Sequence, residues 1–166
     1  MLRASSIVAA VAISTGCAPR VPIPQPVDQD AIESTEAAFE SLITQNGSGV
    51  AVGIYCISLA RFHPSRPHRA DPSPAVVSGL ALTHADLRPS SGCSTRDHSG
   101  FGRLQDKSTS KQVMFLQVFV PPRTSADTLI YWGSYSCGGL CGGAGPIRVW
   151  RRDGKWQTLF TVELIS

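Results

Sequence analysis

The chain has 166 residues, of which 42% are hydrophobic and 16% are charged, and these values predict one ordered domain rather than two domains or a disordered chain. The 15 basic and 12 acidic residues leave a net charge of +3 without a dense Lys/Arg block, which gives no indication of a nucleic-acid partner. No segment approaches the roughly 20 consecutive apolar residues that a membrane-spanning helix requires.

Residues 1–16 have the layout of an export signal. Arg3 precedes a mostly apolar stretch, and small residues then lead to Cys17. Gly16 and Cys17 resemble the end of the lipobox of bacterial lipoproteins, in which the cysteine is diacylated on sulfur and becomes the acylated mature N-terminus. Ser14 stands where that family usually has leucine, so ordinary signal cleavage nearby is the alternative. The resemblance implies an exported lipoprotein with a membrane anchor on Cys17, whose domain lies in the periplasm or at the cell surface of the bacterial envelope.

A proline-rich segment separates this signal from the rest of the chain. Four prolines and no glycine follow the cysteine, and this composition predicts an extended, polyproline-like tether. The predicted organisation is therefore a signal peptide over residues 1–16, a lipid-anchored tether over 17–27 and a single domain over 28–166. Without lipidation, the alternative is a cleaved signal followed by a disordered arm.

The cysteine count is odd, whereas an exported protein normally pairs its thiols. Lipidation of Cys17 leaves four cysteines, which allow three pairings. We favour Cys56 with Cys93 and Cys137 with Cys141. The second two are close in sequence, and Cys93 lies in a loop region that can return to the strand-like segment around Cys56.

An amphipathic helix is predicted near the start of the domain. Asp30 and Glu33 have the spacing of a capping box at its beginning, and Asn46-Gly47 ends the pattern. Between them, four apolar side chains recur at helical spacing: Ile32, Phe39, Leu42 and Ile43. This stripe predicts that one side of the helix packs on the core.

The middle of the chain predicts short elements. Val50–Leu59 is rich in β-branched and apolar residues, which indicates a buried strand. Further on, Ser73-Pro74 is typical of the N-cap and first residue of a helix, here one that runs to about Leu82. Little periodicity follows, so we expect one short strand near Arg88 or Ser94 and otherwise loop.

The last third predicts four strands in a meander, over residues 112–120, 128–136, 147–152 and 155–165. Asp153-Gly154 indicates a two-residue type I′ turn, because both central positions of that turn need positive φ. The turn sets a register in which Ile147 faces Phe160. One face then holds Ile147, Val149, Trp156, Phe160, Val162 and Leu164, and we expect this face to belong to the core.

The predicted fold class is therefore α+β. An N-terminal amphipathic helix packs on a mainly antiparallel sheet with a C-terminal β-meander, and disulfides staple the domain.

The most conspicuous motif is Cys137-Gly-Gly-Leu-Cys141, which a further glycine run follows. Five glycines within residues 138–145 argue against a helix, and a reactive thiolate normally depends on a helix N-terminus for its low pKa. A structural disulfide is the favoured interpretation; a thiol-disulfide redox protein that uses both cysteines is the alternative. The segment from Tyr135 to the C-terminus resembles a hairpin module of uncharacterised bacterial secreted proteins, and the resemblance implies no activity.

Other catalytic and cofactor motifs are missing from the sequence. The glycine run lacks the Gly-Lys-Ser/Thr ending of a phosphate loop, and the four histidines form no HExxH motif. Ser90–Ser94 with Asp97 and His98 lacks the G-x-S-x-G elbow of a hydrolase. We therefore expect no enzyme, no catalytic residue, no metal site and no cofactor.

Two features are candidates for ligand binding. The first is a cationic loop stiffened by prolines, which suits an anionic polymer or lipid headgroups, although a merely solvated loop has the same composition. It comprises Arg61, His63, Arg66, His68 and Arg69. The second is Trp150 between Arg148 and Arg152, on the face opposite the predicted core. Trp150 is either a ligand platform or covered by the N-terminal helix.

These features predict a small cell-envelope lipoprotein that acts as a binding or interaction module. The expected partners are the membrane, through the lipid anchor, and an anionic envelope polymer or a protein. A periplasmic redox protein that uses Cys137 and Cys141 is the alternative.

Overall fold

The computed structural model describes residues 28–45, 53–61, 68–94, 104–120, 128–138 and 141–165. The predicted signal, the tether and Cys17 lie outside these residues. In chain order the elements are α1 (Gln29–Gln45), β1 (Tyr55–Arg61), β2 (His68–Ala70), α2 (Pro74–Ala81), β3 (Leu87–Pro89), a 3-10 turn (Ser90–Gly92), β4 (Cys93–Ser94), β5 (Gln105–Asp106), β6 (Met114–Phe119), β7 (Thr128–Gly138), β8 (Cys141–Arg152), β9 (Lys155–Phe160) and β10 (Leu164–Ile165).

Eight of the strands form one sheet, in the order β10-β8-β7-β6-β1-β2, with β9 also beside β8 and β3 also beside β1. Strands β6 to β9 are a continuous antiparallel meander, whereas β1 runs parallel to both β3 and β6. Strands β4 and β5 form a separate two-stranded ribbon. Two helices, a mainly antiparallel sheet and two disulfides confirm the predicted α+β class.

Helix α1 begins two residues earlier than its capping box predicts. The carboxylate of Asp28 accepts a hydrogen bond from the Ala31 amide at 3.3 Å, and the helix starts at Gln29. Asp30 therefore lies in the first turn, and the assignment of Asp30 as the cap is wrong. Asp28 and Asp30 both precede the apolar stripe at a spacing that suits an N-cap. Asp28 is the cap, because capping there makes the helix two residues longer. The helix ends at Gln45, next to the predicted Asn46-Gly47 stop.

The apolar stripe of α1 packs on one face of the sheet, as predicted. Phe39 and Leu42 are fully buried, and Ile43 is almost so. They share one core cluster with sheet residues that include Ile57, Leu116, Val118, Tyr131, Ile147, Val149 and Phe160. We call this covered side the helix face of the sheet and the opposite side its outer face.

The helix and the sheet approach closely at Gly133. A Cβ atom there would lie 2.5 Å from the Cδ1 atom of Ile147 and 2.9 Å from the Cδ2 atom of Leu42. Because no side chain larger than hydrogen fits without displacement, Gly133 lets α1 settle onto β7 and β8.

Helix α2 agrees with its prediction. The Ser73 hydroxyl accepts a hydrogen bond from the Val76 amide at 3.4 Å, and Pro74 is the first helical residue. Val76 and Leu80 bury themselves in the same core as α1. Just beyond the helix, the His84 ring lies 2.7 Å from a Glu40 carboxylate oxygen and so ties the two helices together.

The middle strands differ from the prediction. The strand expected over Val50–Leu59 is found at Tyr55–Arg61, and residues 46–52 lie outside the described part of the chain. After α2 the structure has three short strands, β3, β4 and β5, where one was expected. Each has only two or three residues, and its pairing comes from distant partners that local periodicity does not reveal.

In the last third, β8 and the final strand differ most from their predicted limits. Strand β8 begins at Cys141 instead of Ile147, because the glycine run pairs with β7 throughout. The final predicted strand is broken after Phe160, and β10 pairs separately with Ala144 and Gly143. This break ends the alternation of faces, so Leu164 is 62% exposed and its predicted place in the core is wrong.

Candidate binding surface

The β8–β9 hairpin sets the face of the sheet on which the residues of the candidate site lie. Asp153 and Gly154 have φ angles of 52° and 73°, as a type I′ turn requires. The pairs Ile147 with Phe160 and Trp150 with Gln157 confirm the predicted register. Because side chains alternate between the faces of a sheet, this register sends Ile147 and Val149 to the helix face and Trp150 to the outer face.

Two cross-strand rows lie side by side on the outer face of β7, β8 and β9. One row consists of Ile130, Arg148 and Leu159. The neighbouring row consists of Thr128, Trp150 and Gln157. An open cavity of about 440 Å³ lies over these rows, lined by Thr128, Ile130, Arg148, Trp150, Arg151 and Leu159. We call Ile130, Arg148, Trp150 and Leu159 the outer patch.

The outer patch exposes apolar side chains. Ile130 is 55% exposed and Leu159 is 52% exposed, and Trp150 is half-buried. Helix α1 packs on the opposite face, which decides between the two alternatives left open for Trp150: the helix does not cover it. The sequence prediction missed Ile130 and Leu159, although the alternation within each predicted strand already contained the signal for both.

The strands that carry the outer patch hold charges of one sign. Strands β6 to β9 contain three arginines and one lysine, and they contain no acidic residue. Arg148 has no ion pair within the described ranges, and Arg152 reaches only the exposed Asp153 of the adjacent turn, at 3.9 Å. Among the described residues, the patch therefore combines the unpaired positive charge of Arg148 with an aromatic ring and two aliphatic side chains.

Trp156 occupies a different environment from Trp150. It lies on the helix face, partly buried against the main core. The Arg151 guanidinium lies 5.3 Å from the centre of the Trp156 ring and donates to a carboxylate oxygen of Asp30 at 3.1 Å. Arg151 thus fastens the start of α1 to the end of the hairpin, and its charge is compensated there.

Both disulfides have the predicted pairing. Cys56–Cys93 joins β1 to β4 with a Cα–Cα distance of 6.4 Å. It belongs to a second core cluster, which covers the β1 end of the outer face and contains Ile54, Cys56, Cys93, Leu104, Val113 and Phe115. Cys137–Cys141 closes the β7–β8 hairpin with a Cα–Cα distance of 5.3 Å. Cys137 is 2% exposed and lies in a strand.

The Arg/His candidate site is described only in part. Arg61 ends β1 and pairs in register with His68 at the start of β2, and His63 and Arg66 lie outside the described residues. Arg69 is exposed, with its guanidinium 5.4 Å from the centre of the Phe115 ring. Within this candidate site, Arg69 therefore packs on an aromatic ring of the second cluster.

The polar residues near Cys93 form hydrogen bonds that hold the loops together. A carboxylate oxygen of Asp71 accepts from the Ser90 hydroxyl at 2.7 Å and from the Ser91 amide at 2.8 Å. Burial raises the pKa of Asp71, but the hydrogen bonds from Ser91 and Ser90 lower it by more. The net shift of the pKa is therefore downward. Nearby, the hydroxyl and amide of Ser108 donate to Asp106 and lower its pKa.

No group of three or more His, Cys, Asp and Glu side chains that could hold a metal ion occurs among the described residues. In the same part of the chain, neither helix has the length and apolar character to cross a bilayer. No protein-family model, no curated protein and no solved structure matches this chain.

Proposed function

We propose that this protein is an exported binding module, held at a membrane of the cell envelope by lipid on Cys17, that binds an anionic partner with the outer patch. The observation that carries the proposal is the exposed row of Ile130, Arg148 and Leu159 beside Trp150. Exposed aliphatic area stays in contact with water at a free-energy cost of roughly 25 cal/mol per Å², so a partner that covers it gains affinity.

The chemistry of the outer patch favours an anion. Arginine and tryptophan are the side chains that most often dominate binding energy, and arginine pairs with carboxylates through two parallel hydrogen bonds. Arg148 lies between two apolar side chains and has no ion pair in the described part of the chain. A partner that brings both a carboxylate and apolar surface would satisfy all members of the patch together.

The alternative, a redox protein, has less support. Catalytic disulfides need an accessible sulfur and a thiolate stabilised by a helix N-terminus or by nearby cations. Cys137 is almost fully buried, and both cysteines belong to strands. Turnover of a disulfide substrate by the purified protein, lost in Cys137→Ala, would reverse this preference.

The membrane anchor is tested with Cys17→Ser. We expect the wild-type protein to incorporate a fatty-acid analogue and to fractionate with membranes, whereas the variant does neither and keeps its thermal transition. Equal membrane recovery of the two proteins, with no label on the wild type, would contradict the anchor.

The outer patch is tested with the full chain in a non-ionic detergent and with poly-L-glutamate as the probe. We expect Trp150→Ala and Arg148→Gln each to weaken binding by roughly tenfold. Lys111→Gln is the matched control, because it removes the same charge from an exposed residue outside the patch. An equal loss of affinity in all three variants would mean that net charge alone attracts the probe.

A further inference from the structure

Strand β9 is the outermost strand at its end of the sheet. It pairs with β8 on one side, and no other described strand pairs with it. In a hairpin with a two-residue turn, the residues that flank the turn form a hydrogen-bonded pair. Arg152 and Lys155 are that pair, so the backbone N–H and C=O groups of Trp156, Thr158 and Phe160 point away from β8.

One of the outward-pointing amides of this edge has a hydrogen-bond partner in the structure, and the other two have none among the described residues. The Phe160 amide donates to the side-chain oxygen of Gln45, the last residue of α1, at 3.0 Å. Within the residues that the structure describes, the amides of Trp156 and Thr158 have no hydrogen-bond partner. Open N–H and C=O groups on an edge strand are the template to which an extended chain adds as a further strand.

The charges beside this edge select the kind of chain that can add. Lys155 is the only charged residue of β9, and Arg148 and Arg152 lie on the next strand. A second copy of the protein would bring the same cations together, and a lysine on an edge strand disfavours such self-pairing. An acidic chain would instead meet Lys155 and Arg148, which have no ion pair in the described part of the chain.

We infer that β9 is the docking edge for an extended acidic segment of a partner polypeptide, which adds to the sheet as a strand. The inference rests on the proposed function, because it names the class of partner that the outer patch holds. Side chains alternate along the added strand, so those on the outer face lie beside Lys155, Gln157 and Leu159. The matching segment carries an apolar residue beside Leu159 and a carboxylate near Lys155.

The probe for this inference is a synthetic heptapeptide with blocked ends, Thr-Val-Thr-Glu-Thr-Glu-Thr, which places one apolar and two acidic side chains on one face. It is added to the full chain in a non-ionic detergent, and hydrogen exchange is followed at single amides. We expect the probe to slow exchange at Trp156 and Thr158, and we expect a peptide with lysine for glutamate not to bind.

The variant that tests the edge is Thr158→Pro. The Thr158 amide points away from β8, so proline removes the outward donor and leaves the hydrogen bonds between β8 and β9 in place. We expect it to weaken binding of the probe by about tenfold or more, because a main-chain hydrogen bond is lost and the ring obstructs the edge. Thr158→Ala is the control: it keeps the amide, and we expect it to bind as the wild type does.

A second measurement does not depend on how Thr158→Pro folds. The probe is N-methylated at alternate residues, so that its amides facing β9 can no longer donate and the methyl groups obstruct close pairing, while the side chains are unchanged. We expect this peptide not to bind the wild-type protein. Binding equal to that of the unmodified probe would overturn the inference.

The arms of the experiment separate failure of the inference from failure of the proposed function. If the N-methylated peptide binds, and if Trp150→Ala and Arg148→Gln weaken that binding, the outer patch remains the site and the docking edge is refuted. If poly-L-glutamate binds and the heptapeptide does not, the docking edge is likewise refuted. If neither probe responds to changes in the patch or the edge, both proposals are wrong.

Discussion

The two faces of strands β7 to β9 are built from the same backbone and have opposite environments. On the helix face, Ile147 and Val149 are fully buried under α1. On the outer face, one residue away along the chain, Arg148 is exposed and Ile130 beside it is more than half exposed. The hydrophobicity of a side chain therefore does not determine its burial here; what decides is which face an element packs against.

The largest effect is expected when the same substitution, isoleucine to alanine, is made on the two faces and the free energies of unfolding are compared. Ile147→Ala should lower the free energy of unfolding by about 4 kcal/mol, because it leaves a cavity beneath α1. Ile130→Ala on the adjacent strand should lower it by under about 0.5 kcal/mol. Urea denaturation of both variants measures the difference. Similar losses would mean that the outer face is also covered.

The second prediction concerns the two disulfides. Cys56 and Cys93 are 37 residues apart, and replacing both with alanine should lower the free energy of unfolding by about 3–4 kcal/mol. Cys137 and Cys141 are 4 residues apart, so their double replacement should cost about 2 kcal/mol, because a shorter loop loses less entropy on closure. Denaturant unfolding under oxidising conditions tests both. A larger loss for the second pair would contradict this entropic account.

The third prediction contrasts the two tryptophans of the β8–β9 hairpin. Trp156→Ala should lower the free energy of unfolding by about 2–3 kcal/mol, since Trp156 packs partly on the core and beneath Arg151. Trp150→Ala should lower it by under about 1 kcal/mol, since α1 packs on the opposite face of the sheet. Thermal melting at a fixed protein concentration compares them. Comparable large losses would show that the sheet is buried on both sides at this hairpin.

The fourth prediction tests the close approach at Gly133. Gly133→Ala should lower the free energy of unfolding by about 2 kcal/mol, because its Cβ atom would collide with Ile147 and Leu42. The neighbouring Ser134→Ala, on the outer face, should change it by under about 0.5 kcal/mol. If alanine stabilises the protein at residue 133, the packing of α1 on β7 is looser than the structure indicates.

The smallest expected effect concerns a hydrogen bond between a hydroxyl of α1 and a hydroxyl of the sheet. Tyr131 and Ser34 place their hydroxyl oxygens 2.9 Å apart in the buried interface. Tyr131→Phe should lower the free energy of unfolding by about 1 kcal/mol, because the Ser34 hydroxyl loses that partner. Tyr55→Phe is the matched control, since its hydroxyl has no hydrogen bond in the described part of the chain. An unchanged midpoint for Tyr131→Phe would mean that water replaces the phenol.

Local signals account for what the sequence predicted correctly. The Asp153-Gly154 turn sets the β8–β9 register because its dihedral angles admit only one pairing of the flanking residues. The Ser73-Pro74 cap and the apolar stripe of α1 are also complete within a few turns of chain. Each such feature depends on neighbours in sequence, so the sequence contains all the information that it requires.

Features that depend on distant residues were missed or wrong. The strands β3, β4 and β5 exist because of pairing with β1 and with each other, across intervals that contain a helix or a loop. Leu164 was expected in the core, but the chain leaves β9 after Phe160 and returns beside β8 four residues later. A periodic pattern does not reveal such a break, because the register on each side of it is set by a different partner.

The sequence by itself determined the α+β class and the face of β8 to which Trp150 belongs, and it favoured one of three possible disulfide pairings, which the structure has. Only the tertiary structure decided that α1 covers the Ile147 face, that Ile130 and Leu159 join Arg148 in one exposed row, and that no described strand pairs with the outward edge of β9. The physical reason is that alternation assigns side chains to two faces, whereas the packing of a distant helix selects which face is removed from water.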